Sequence, residues 1–427
     1  MRSQPPPRRP SRRLRRWLRP FLLASVALWL LLSWRKTSND SQKPGADAGL
    51  DDPKAFFPAY GPQQFLLLPL TESTPQFCRT LFALLFTGYP NPILINWEGS
   101  RESSHLAKIS KVAKWLNSLN GHPDDLILML DAHDVWPQLP AAMFYDIYHA
   151  WPEWSGAIFG AGKHCSPFPS DFRLCNAMPE SWLPRDAYGP DTDIVNHHTP
   201  VYDYSFGSAH LHDDWSHPED FVLGRYERVR PRFGNSGTLI GRRNPLQILF
   251  AHSLEELELT LNGTIPRGPQ QVQSDQFHFN EAMAKAFLRG DTLGVADTDS
   301  RLFQVMIHSY HDVNYTTANY QLEHLSAGQR EALGKPEWRN RILAYNVISK
   351  RFPPFIHFAG PKYEMSDRWE NIWWNADQAG SDSIEAMHFM EMLLAEAPGT
   401  ASRYGASTME GERLSYKKLC GQYAEYV

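Results

Sequence analysis

The first half of the chain alternates short apolar runs with segments of helical periodicity. Apolar runs at residues 65–70, 93–97 and 126–130 predict strands. Residues 77–86 and 105–119 carry apolar side chains at three- and four-residue spacing, which is typical of amphipathic helices. A helix at 141–150 and a strand at 156–160 follow. This alternation predicts an α/β domain built on a parallel sheet.

The pattern changes in the second half. Residues 176–232 are rich in Pro, Asp, His and Tyr and show little periodicity, so we predict an ordered insertion there. Regular structure is predicted to resume at 234–241, and residues 274–288 have helical spacing. The stretch from residue 397 is expected to be a surface tail, except that Cys420 could fasten it to the domain.

Two carboxylates follow directly after the third predicted strand. Asp131 and Asp134 stand three residues apart at the end of the run 126–130. In an α/β sheet the carboxyl ends of the strands face the crevice where ligands bind, and carboxylate oxygens suit Mg²⁺ or Mn²⁺. The pair therefore predicts a divalent metal site. The alternative interpretation is a strand-to-helix turn capped by Asp134.

The N-terminus predicts a membrane protein. Residues 1–19 contain eight arginines and no acidic residue, and residues 17–34 are mostly apolar. We predict a cytoplasmic basic tail at 1–16, an uncleaved signal anchor at 17–34 and a stem at 35–60, because a basic flank keeps the N-terminus cytoplasmic. The alternative is a cleaved signal peptide, but residues 31–34 form a poor cleavage site. The catalytic bulk would then face the lumen of the Golgi or endoplasmic reticulum.

Charge, cysteines and glycosylation motifs agree with a lumenal domain. Residues 37–427 carry a net charge of about −15, which excludes a nucleic-acid footprint on the folded part. The four cysteines show no metal-site spacing. In an oxidising lumen Cys165–Cys175 and Cys78–Cys420 could form disulfides, although four cysteines allow three connectivities. Asn-Gly-Thr at 262–264 and Asn-Tyr-Thr at 314–316 match glycosylation acceptors.

A set of short motifs gives the chain a family resemblance. In chain order, these motifs are Leu70-Thr71-Glu72, Lys111-Val112, Asp131-Ala132-His133-Asp134-Val135, Asn235-Ser236-Gly237, Asp275-Gln276 and His357-Phe358-Ala359-Gly360-Pro361-Lys362. Their order and spacing resemble the glycosyltransferase domain of the procollagen lysyl hydroxylases and the wider set of metal-dependent GT-A transferases. The resemblance implies a GT-A-like mixed sheet flanked by helices over residues 61–380, followed by a C-terminal helix and tail at 381–427.

The resemblance also implies a metal centre and a reaction. Asp131 and Asp134 would bind Mn²⁺ or Mg²⁺, with His357 as the third protein ligand. The resemblance implies a UDP-sugar as the donor, and such a metal would stabilise its diphosphate as the sugar leaves. Asp275 would face the donor sugar and the acceptor as a catalytic residue, and Asn235 would contact the sugar or form a tight turn.

Five further residues are implied to contact the nucleotide. Thr71 and Trp97 would lie at strand ends beside the ribose and uracil. Lys111 would contact the nucleotide, Gly360 would let the backbone approach the phosphates, and Lys362 would neutralise them. For Asp275 the alternative role is a favourable charge at a helix N-terminus.

The chain departs from the family in two places. Ser166 stands where the family has a tryptophan, and nothing after residue 365 resembles the iron site of the hydroxylases. We therefore do not predict collagen-lysine modification.

The predicted function is a type II membrane glycosyltransferase that transfers a hexose to a glycan or glycoprotein. The alternatives are a catalytically silent binding module on the same fold, a nucleotide-sugar hydrolase, and a metal-dependent phosphodiesterase of another fold. The last would need two clustered metals.

Overall fold

A computed structural model describes most of the chain beyond residue 61. The described residues are 62–100, 104–151, 156–165, 172–189, 228–264, 267–318, 330, 333, 336–360, 362–375, 381–395 and 404–427. They belong to one unit, Tyr60–Val427.

The described strands are short, and most are buried. They are β1 (Gln64–Pro69), β2 (Ile93–Ile95), β3 (Leu126–Leu130), β4 (Val135–Pro137), β5 (Ala157–Gly162), β6 (Phe233–Arg242), β7 (Gly294–Asp297), β8 (Phe303–Val305), β9 (Val313–Thr317), β10 (Ile342–Asn346), β11 (Phe355–His357), β12 (Gly405–Thr408) and β13 (Arg413–Ser415).

The described helices vary from one turn to five. They are α1 (Pro75–Phe86), α2 (Ser104–Ser118), α3 (Ala141–His149), α4 (Phe172–Ala177), α5 (Arg243–Leu261), α6 (Pro269–Gln273), α7 (Asp275–Leu288), α8 (Pro336–Arg339), α9 (Tyr363–Asn371), α10 (Ser381–Leu394) and α11 (Tyr416–Cys420).

Eight strands form one mixed sheet in the order β13-β12-β2-β1-β3-β6-β5-β7. Strands β12, β2, β1 and β3 run parallel to one another, and β5 runs parallel to β7. Strand β6 is antiparallel to both β3 and β5, so β5 has the same direction as β3. The carboxyl ends of β1, β2, β3, β5 and β7 therefore meet at one edge. The α/β class and the mixed sheet flanked by helices are confirmed. The parallel sheet predicted from the strand-helix alternation is wrong, because β6 and β13 run antiparallel to their neighbours.

Two smaller sheets complete the domain. Strands β4, β11 and β8 form a three-stranded sheet in which β11 is the centre, and β9 pairs with β10. In the first of these sheets His357 is paired with Val135 on one side and Val305 on the other. This sheet carries the far end of the chain back to the turn after β3.

The main sheet is covered on both faces. Alternate residues of its central strands enter different core clusters: Leu66 and Leu128 pack in one, Leu67 and Ile127 in the other. Strands buried on both sides read as continuous apolar runs, and this is why β1 and β3 were predictable from the sequence.

Both predicted disulfides are confirmed. Cys78 in α1 is bonded to Cys420 at the end of α11, and Cys165 is bonded to Cys175 in α4. The first bridge fastens the C-terminal segment to the first helix.

The prediction of a surface tail is wrong for residues 404–427. Strand β12 pairs in parallel with β2 and extends the main sheet. Tyr416 and Cys420 are fully buried behind it. A strand of four residues that begins with glycine gives too weak a local pattern to reveal such distant pairing.

The predicted insertion at 176–232 is described only at its two ends. Arg230 and Arg232, both buried, donate hydrogen bonds to backbone carbonyls of the 178–183 segment. The two ends of the insertion are therefore held against each other. Residues 190–227 lie outside the described residues.

The predicted signal anchor at 17–34 also lies outside the described residues, as do the tail at 1–16 and the stem up to residue 60. Within the part of the chain that the structure describes, every helix is too short or too polar to span a bilayer.

Two glycosylation motifs are open to modification in the folded protein. Asn262 follows α5, and its whole motif, including Thr264, is exposed; Asn314 is an exposed residue of β9. If the domain is lumenal, we expect a glycan on each site. After expression in eukaryotic cells, N-glycosidase F should shift the wild-type band downward. The shift should be smaller by one glycan in Thr264→Val, which loses the motif at Asn262. It should be unchanged in Thr264→Ser, which keeps the motif. A wild-type band that the enzyme leaves in place would contradict the expectation.

Candidate metal centre

The two aspartates lie in the turn that joins β3 to β4. The amide N–H of Asp131 donates to the carbonyl of Gly237 in β6, at 2.8 Å. The carbonyl of Asp134 accepts from the amide of Phe358, also at 2.8 Å. A hydrogen bond to β6 of the main sheet thus positions the backbone of Asp131, and a hydrogen bond from Phe358, next to β11, positions the backbone of Asp134.

His357, at the end of β11, completes a group of three potential ligands. Its Nε2 lies 3.7 Å from Oδ2 of Asp131 and 3.6 Å from Oδ2 of Asp134. All three ligand atoms lie within 4.8 Å of one another. Two atoms bound to one ion at about 2.1 Å each stand no more than about 4.2 Å apart, so the two measured distances fit a shared ion. The structure brings together the three residues predicted as ligands.

Gly237 leaves the space in which these ligands meet. A Cβ built on this residue would lie 2.1 Å from Cε1 of His357 and 2.6 Å from Oδ2 of Asp131. Non-bonded atoms do not approach each other this closely, so a side chain at this position would displace the ligands. The absence of a side chain at position 237 therefore allows Asp131 and His357 to approach each other.

Asn235 shapes the bulge that presents this glycine. Asn235 and Leu239 pair with consecutive residues of β5, so residues 236–238 bulge away from that strand. The side chain of Asn235 accepts from the amide of Gly237 at 3.0 Å and donates to Gln276 of α7 at 3.1 Å. These contacts give Asn235 a positioning role, and its predicted sugar contact stays a prediction.

Lys108 of α2 bridges two carboxylates at the site. Its Nζ lies 2.7 Å from Oδ1 of Asp131 and 2.6 Å from Oδ2 of Asp275, and its side chain is only 3% exposed. Burial alone would lower the pKa of this ammonium, but the two carboxylates outweigh burial and raise the pKa. Lys108 is therefore a fixed positive charge beneath the metal ligands.

Lys111, the lysine predicted to contact the nucleotide, is exposed on the same helix. Lys108, one turn earlier, contacts the cluster instead. The sequence carried a signal for this difference: Lys108 stands between Ala107 and Ile109 and four residues before Val112, at a position of the apolar stripe. A lysine there must be paired if it is buried.

Exchanging each lysine for methionine should separate their roles. Lys108→Met leaves Asp131 and Asp275 without their shared partner, so we expect the free energy of unfolding to fall by about 3 kcal/mol. Lys111→Met should leave it unchanged, because Lys111 is exposed. Urea denaturation in EDTA measures both. Equal stability of the two variants would contradict the assignment of Lys108.

Asp275 is the first residue of α7. Ser274 caps this helix by accepting from the amide of Phe277, and Asp275 is 5% exposed. Burial alone would raise the pKa of its carboxyl, but Lys108 outweighs this effect and the pKa is lowered. A carboxylate with a lowered pKa is a weak proton acceptor at neutral pH. It is better suited to accepting hydrogen bonds from hydroxyl groups.

Lys362 contacts the other side of the cluster. Its Nζ pairs with Oδ2 of Asp134 and donates to the carbonyl of Phe358 at 2.6 Å, while its side chain is 51% exposed. Burial alone would raise the pKa of Asp134, but His357 and Lys362 lower it well below its usual range. Asp134 is therefore ionised at neutral pH, as a metal ligand requires.

Gly360 lies between His357 and Lys362 in a left-handed conformation, with φ of +89°. A Cβ there would also press on Ile307 at 3.2 Å. The left-handed backbone favours glycine, and any other residue would also have to displace the Ile307 side chain.

Thr71 and Trp97 lie side by side at the ends of β1 and β2. The amide of Glu98 donates to the carbonyl of Thr71 at 2.9 Å, and Asn96 and Glu98 have left-handed backbones on either side of Trp97. Trp97 is half-buried against the core. The pair is at the same sheet edge as the metal ligands, one and two strands away. Its contact with a nucleotide stays a prediction.

Comparison with known proteins gives no family for this chain. No protein-family model matches it, and no curated protein matches it.

Proposed function

We propose that the protein is a single-pass type II membrane glycosyltransferase of the GT-A type in the Golgi or endoplasmic reticulum. It would transfer a hexose from a UDP-sugar to a glycan or glycoprotein acceptor, with Mn²⁺ at Asp131, Asp134 and His357. The observation that carries the proposal is the meeting of these three side chains at the carboxyl edge of a mixed sheet. This edge is where open α/β sheets bind their ligands.

A single candidate metal site favours glycosyl transfer over phosphodiester hydrolysis. Among the described residues, only one group of three His, Cys, Asp or Glu side chains could hold an ion. Two-metal hydrolases need a second ligand set about 4 Å away.

Different residues around the cluster would bind different parts of a UDP-sugar. When bound, Mn²⁺ would supply positive charge to the diphosphate as the sugar leaves. Lys362, half-exposed beside Asp134, would pair with a phosphate oxygen. Gly360 would let that phosphate approach the backbone, and Thr71 with Trp97 would bind the ribose and uracil.

Asp275 would bind the donor sugar, and Lys108 would hold Asp275 in place. Asp275 is ionised and fixed by Lys108, so it would accept hydrogen bonds from the donor-sugar hydroxyls and orient the anomeric carbon. Its lowered pKa argues against a role as general base. Asn235 would hold the bulge that supports Gly237.

The first experiment is UDP release by the full-length protein, purified in detergent. A panel of UDP-sugars is tested with Mn²⁺ and with EDTA, first alone and then with glycan acceptors. We expect release from one donor, dependent on Mn²⁺ and stimulated by an acceptor. Release without acceptor stimulation would identify a hydrolase. No release, together with no Mn²⁺-dependent binding of UDP, would overturn the proposal.

A further inference from the structure

An exposed tryptophan stands near the carboxyl edge of the main sheet. Among the tryptophans that the structure describes, only Trp182 is exposed, with 45% of its surface accessible. A single exposed apolar side chain is common on protein surfaces, so exposure alone does not identify a site. The way in which the surrounding residues hold this ring is more informative.

Buried side chains fix the backbone on both sides of Trp182. The amide of Trp182 donates to Oγ1 of Thr298 at 2.9 Å. Arg230 donates to the carbonyls of Ser181 and Leu183, at 3.2 and 2.6 Å. Both Thr298 and Arg230 are buried, and both lie far from Trp182 in the sequence. A rigid aromatic side chain loses little conformational entropy when a ligand binds, so this arrangement suits a contact site.

The indole of Trp182 packs against a second indole and an arginine. The ring centroids of Trp151 and Trp182 are 5.2 Å apart, and the two rings meet edge to face. The central guanidinium carbon of Arg301 lies 4.6 Å from the centre of the Trp151 ring and 5.7 Å from that of Trp182. The exposed fraction of Trp182 is what remains with these contacts in place. They orient the ring and leave much of it open to solvent.

Arg301 is itself held in place by a carboxylate. Its Nε donates to both oxygens of Asp299, at 3.1 and 2.8 Å, and Asp299 also accepts from Nε of Arg351 at 3.1 Å. The side chain of Arg301 is 33% exposed. Its guanidinium carries further N–H donors on the terminal nitrogens. The exposed indole therefore has a positioned hydrogen-bond donor beside it.

The two indoles belong to the sheet edge that carries the metal ligands. Thr298, which accepts from Trp182, directly follows β7. Strands β5 and β6 separate β7 from β3, the strand that precedes Asp131. Three strand spacings amount to about 14 Å. A monosaccharide is too small to bridge this distance, whereas an oligosaccharide lying along the edge can do so.

We propose that Trp182 and Arg301 form a subsite for an oligosaccharide acceptor, which binds a sugar unit other than the one that receives the hexose. This inference rests on the proposed glycosyltransferase function. One face of a pyranose ring presents C–H groups, which pack on the electron-rich face of an indole. The hydroxyls at the rim of the same sugar would accept hydrogen bonds from Arg301.

The surroundings of Trp182 favour a sugar over a protein surface. A stable protein interface buries about 800 Å² on each partner, around a core of several apolar side chains. Within the described residues, no other exposed large apolar side chain lies in segment 172–189 or in the loop after β7. The exposed neighbours of Trp182 in the sequence include Arg185, which pairs with Glu180 at 3.3 Å. One exposed indole with charged neighbours matches a sugar ring, which has an apolar face and a polar rim.

The test compares Trp182→Ala with Trp182→Tyr in the full-length protein. Tyrosine keeps an aromatic face, so Trp182→Tyr should retain binding that Trp182→Ala loses. Phe287→Ala is the matched control, because Phe287 is a 43% exposed aromatic residue at the end of α7 that is distant from Asp275. The probes are maltotriose, laminaritriose, mannotriose and chitotriose.

Two readouts are measured for each protein. The first is binding of each trisaccharide by calorimetry and saturation-transfer NMR, which needs neither a donor nor catalysis. The second is the KM of the bound trisaccharide in UDP release from the preferred donor. We expect one trisaccharide to bind the wild type, and its Kd and KM to rise about 10-fold or more in Trp182→Ala, as for the loss of one ring stacked on an aromatic side chain. Thermal unfolding checks that each variant is folded.

The outcomes separate this inference from the proposed function. Donor cleavage with a trisaccharide KM that is unchanged in folded Trp182→Ala overturns the subsite and leaves the transferase standing. Binding of no trisaccharide to the wild type also overturns the subsite, as does an equal loss of binding in Phe287→Ala. Trisaccharide binding that only Trp182→Ala loses, in a protein that cleaves no donor, supports the subsite and rejects the transferase.

A protein partner is tested with an unfolded, glycan-free polypeptide, reduced and alkylated lactalbumin. We expect no binding of this polypeptide to the wild type. Binding that Trp182→Ala weakens would assign the exposed indole to a polypeptide and overturn the subsite.

Discussion

Asp131→Asn is expected to lower Mn²⁺-dependent UDP release by more than about 100-fold, since even residues behind the metal ligands change activity by 10- to 100-fold. Asp131 supplies one of three ligand atoms, and an amide is a far weaker ligand than a carboxylate. The same variant should lose tight Mn²⁺ binding, measured by electron paramagnetic resonance of free Mn²⁺.

Asp146→Asn is the control for this variant. Asp146 is an exposed residue of α3, so the substitution removes a carboxylate with no contact to the cluster and should leave both readouts unchanged. Because Asp131 also pairs with Lys108, unfolding is measured in EDTA to separate stability from metal binding. A folded Asp131→Asn protein that binds Mn²⁺ like the wild type would reject the metal centre.

Gly237→Ala is expected to have a comparably large effect through one methyl group. The new carbon would overlap Cε1 of His357 and Oδ2 of Asp131, so the ligands must separate. A displacement of about 1 Å at a reacting centre costs on the order of 100-fold in rate. Overpacking should also lower the free energy of unfolding by about 1–3 kcal/mol.

Gly162→Ala provides the matched control for this steric effect. A Cβ on Gly162 meets nothing closer than 3.8 Å, so this variant should behave like the wild type. UDP release and Mn²⁺ affinity are measured for both proteins. Wild-type metal affinity in Gly237→Ala would show that His357 and Asp131 do not share an ion.

The sequence predicted best the elements that are buried on both faces or strongly amphipathic. The run 126–130 has the same bounds as β3, and helix α2 begins and ends one residue earlier than predicted. Helix α5 was not predicted, although it has 19 residues. Ser253, Glu256 and Thr260 occupy buried positions there and blur the apolar periodicity. Glu256 is tolerated because Lys285 of α7 pairs with it.

The residues of the candidate site also differ in whether a local sequence pattern could predict them. Asp131 and Asp134 could be predicted because a strand end and two carboxylates form a local pattern. His357 came from a family resemblance, and Lys108 was missed because the local signal, a lysine in an apolar stripe, does not name its partners. Asp275 and Asp131 are its partners only because α2, α7 and the end of β3 pack together in the folded protein.

The sequence by itself determined the strand that ends in two carboxylates, the first helices around it and the candidate disulfides. Only the tertiary structure decided that His357 reaches those carboxylates, that Gly237 leaves room for them, and that β12 extends the sheet beside β2. A sequence pattern reports whether a residue is buried, because periodicity follows the local backbone. It does not report which distant segment covers that residue, because sheet pairing and helix packing are set by the whole chain.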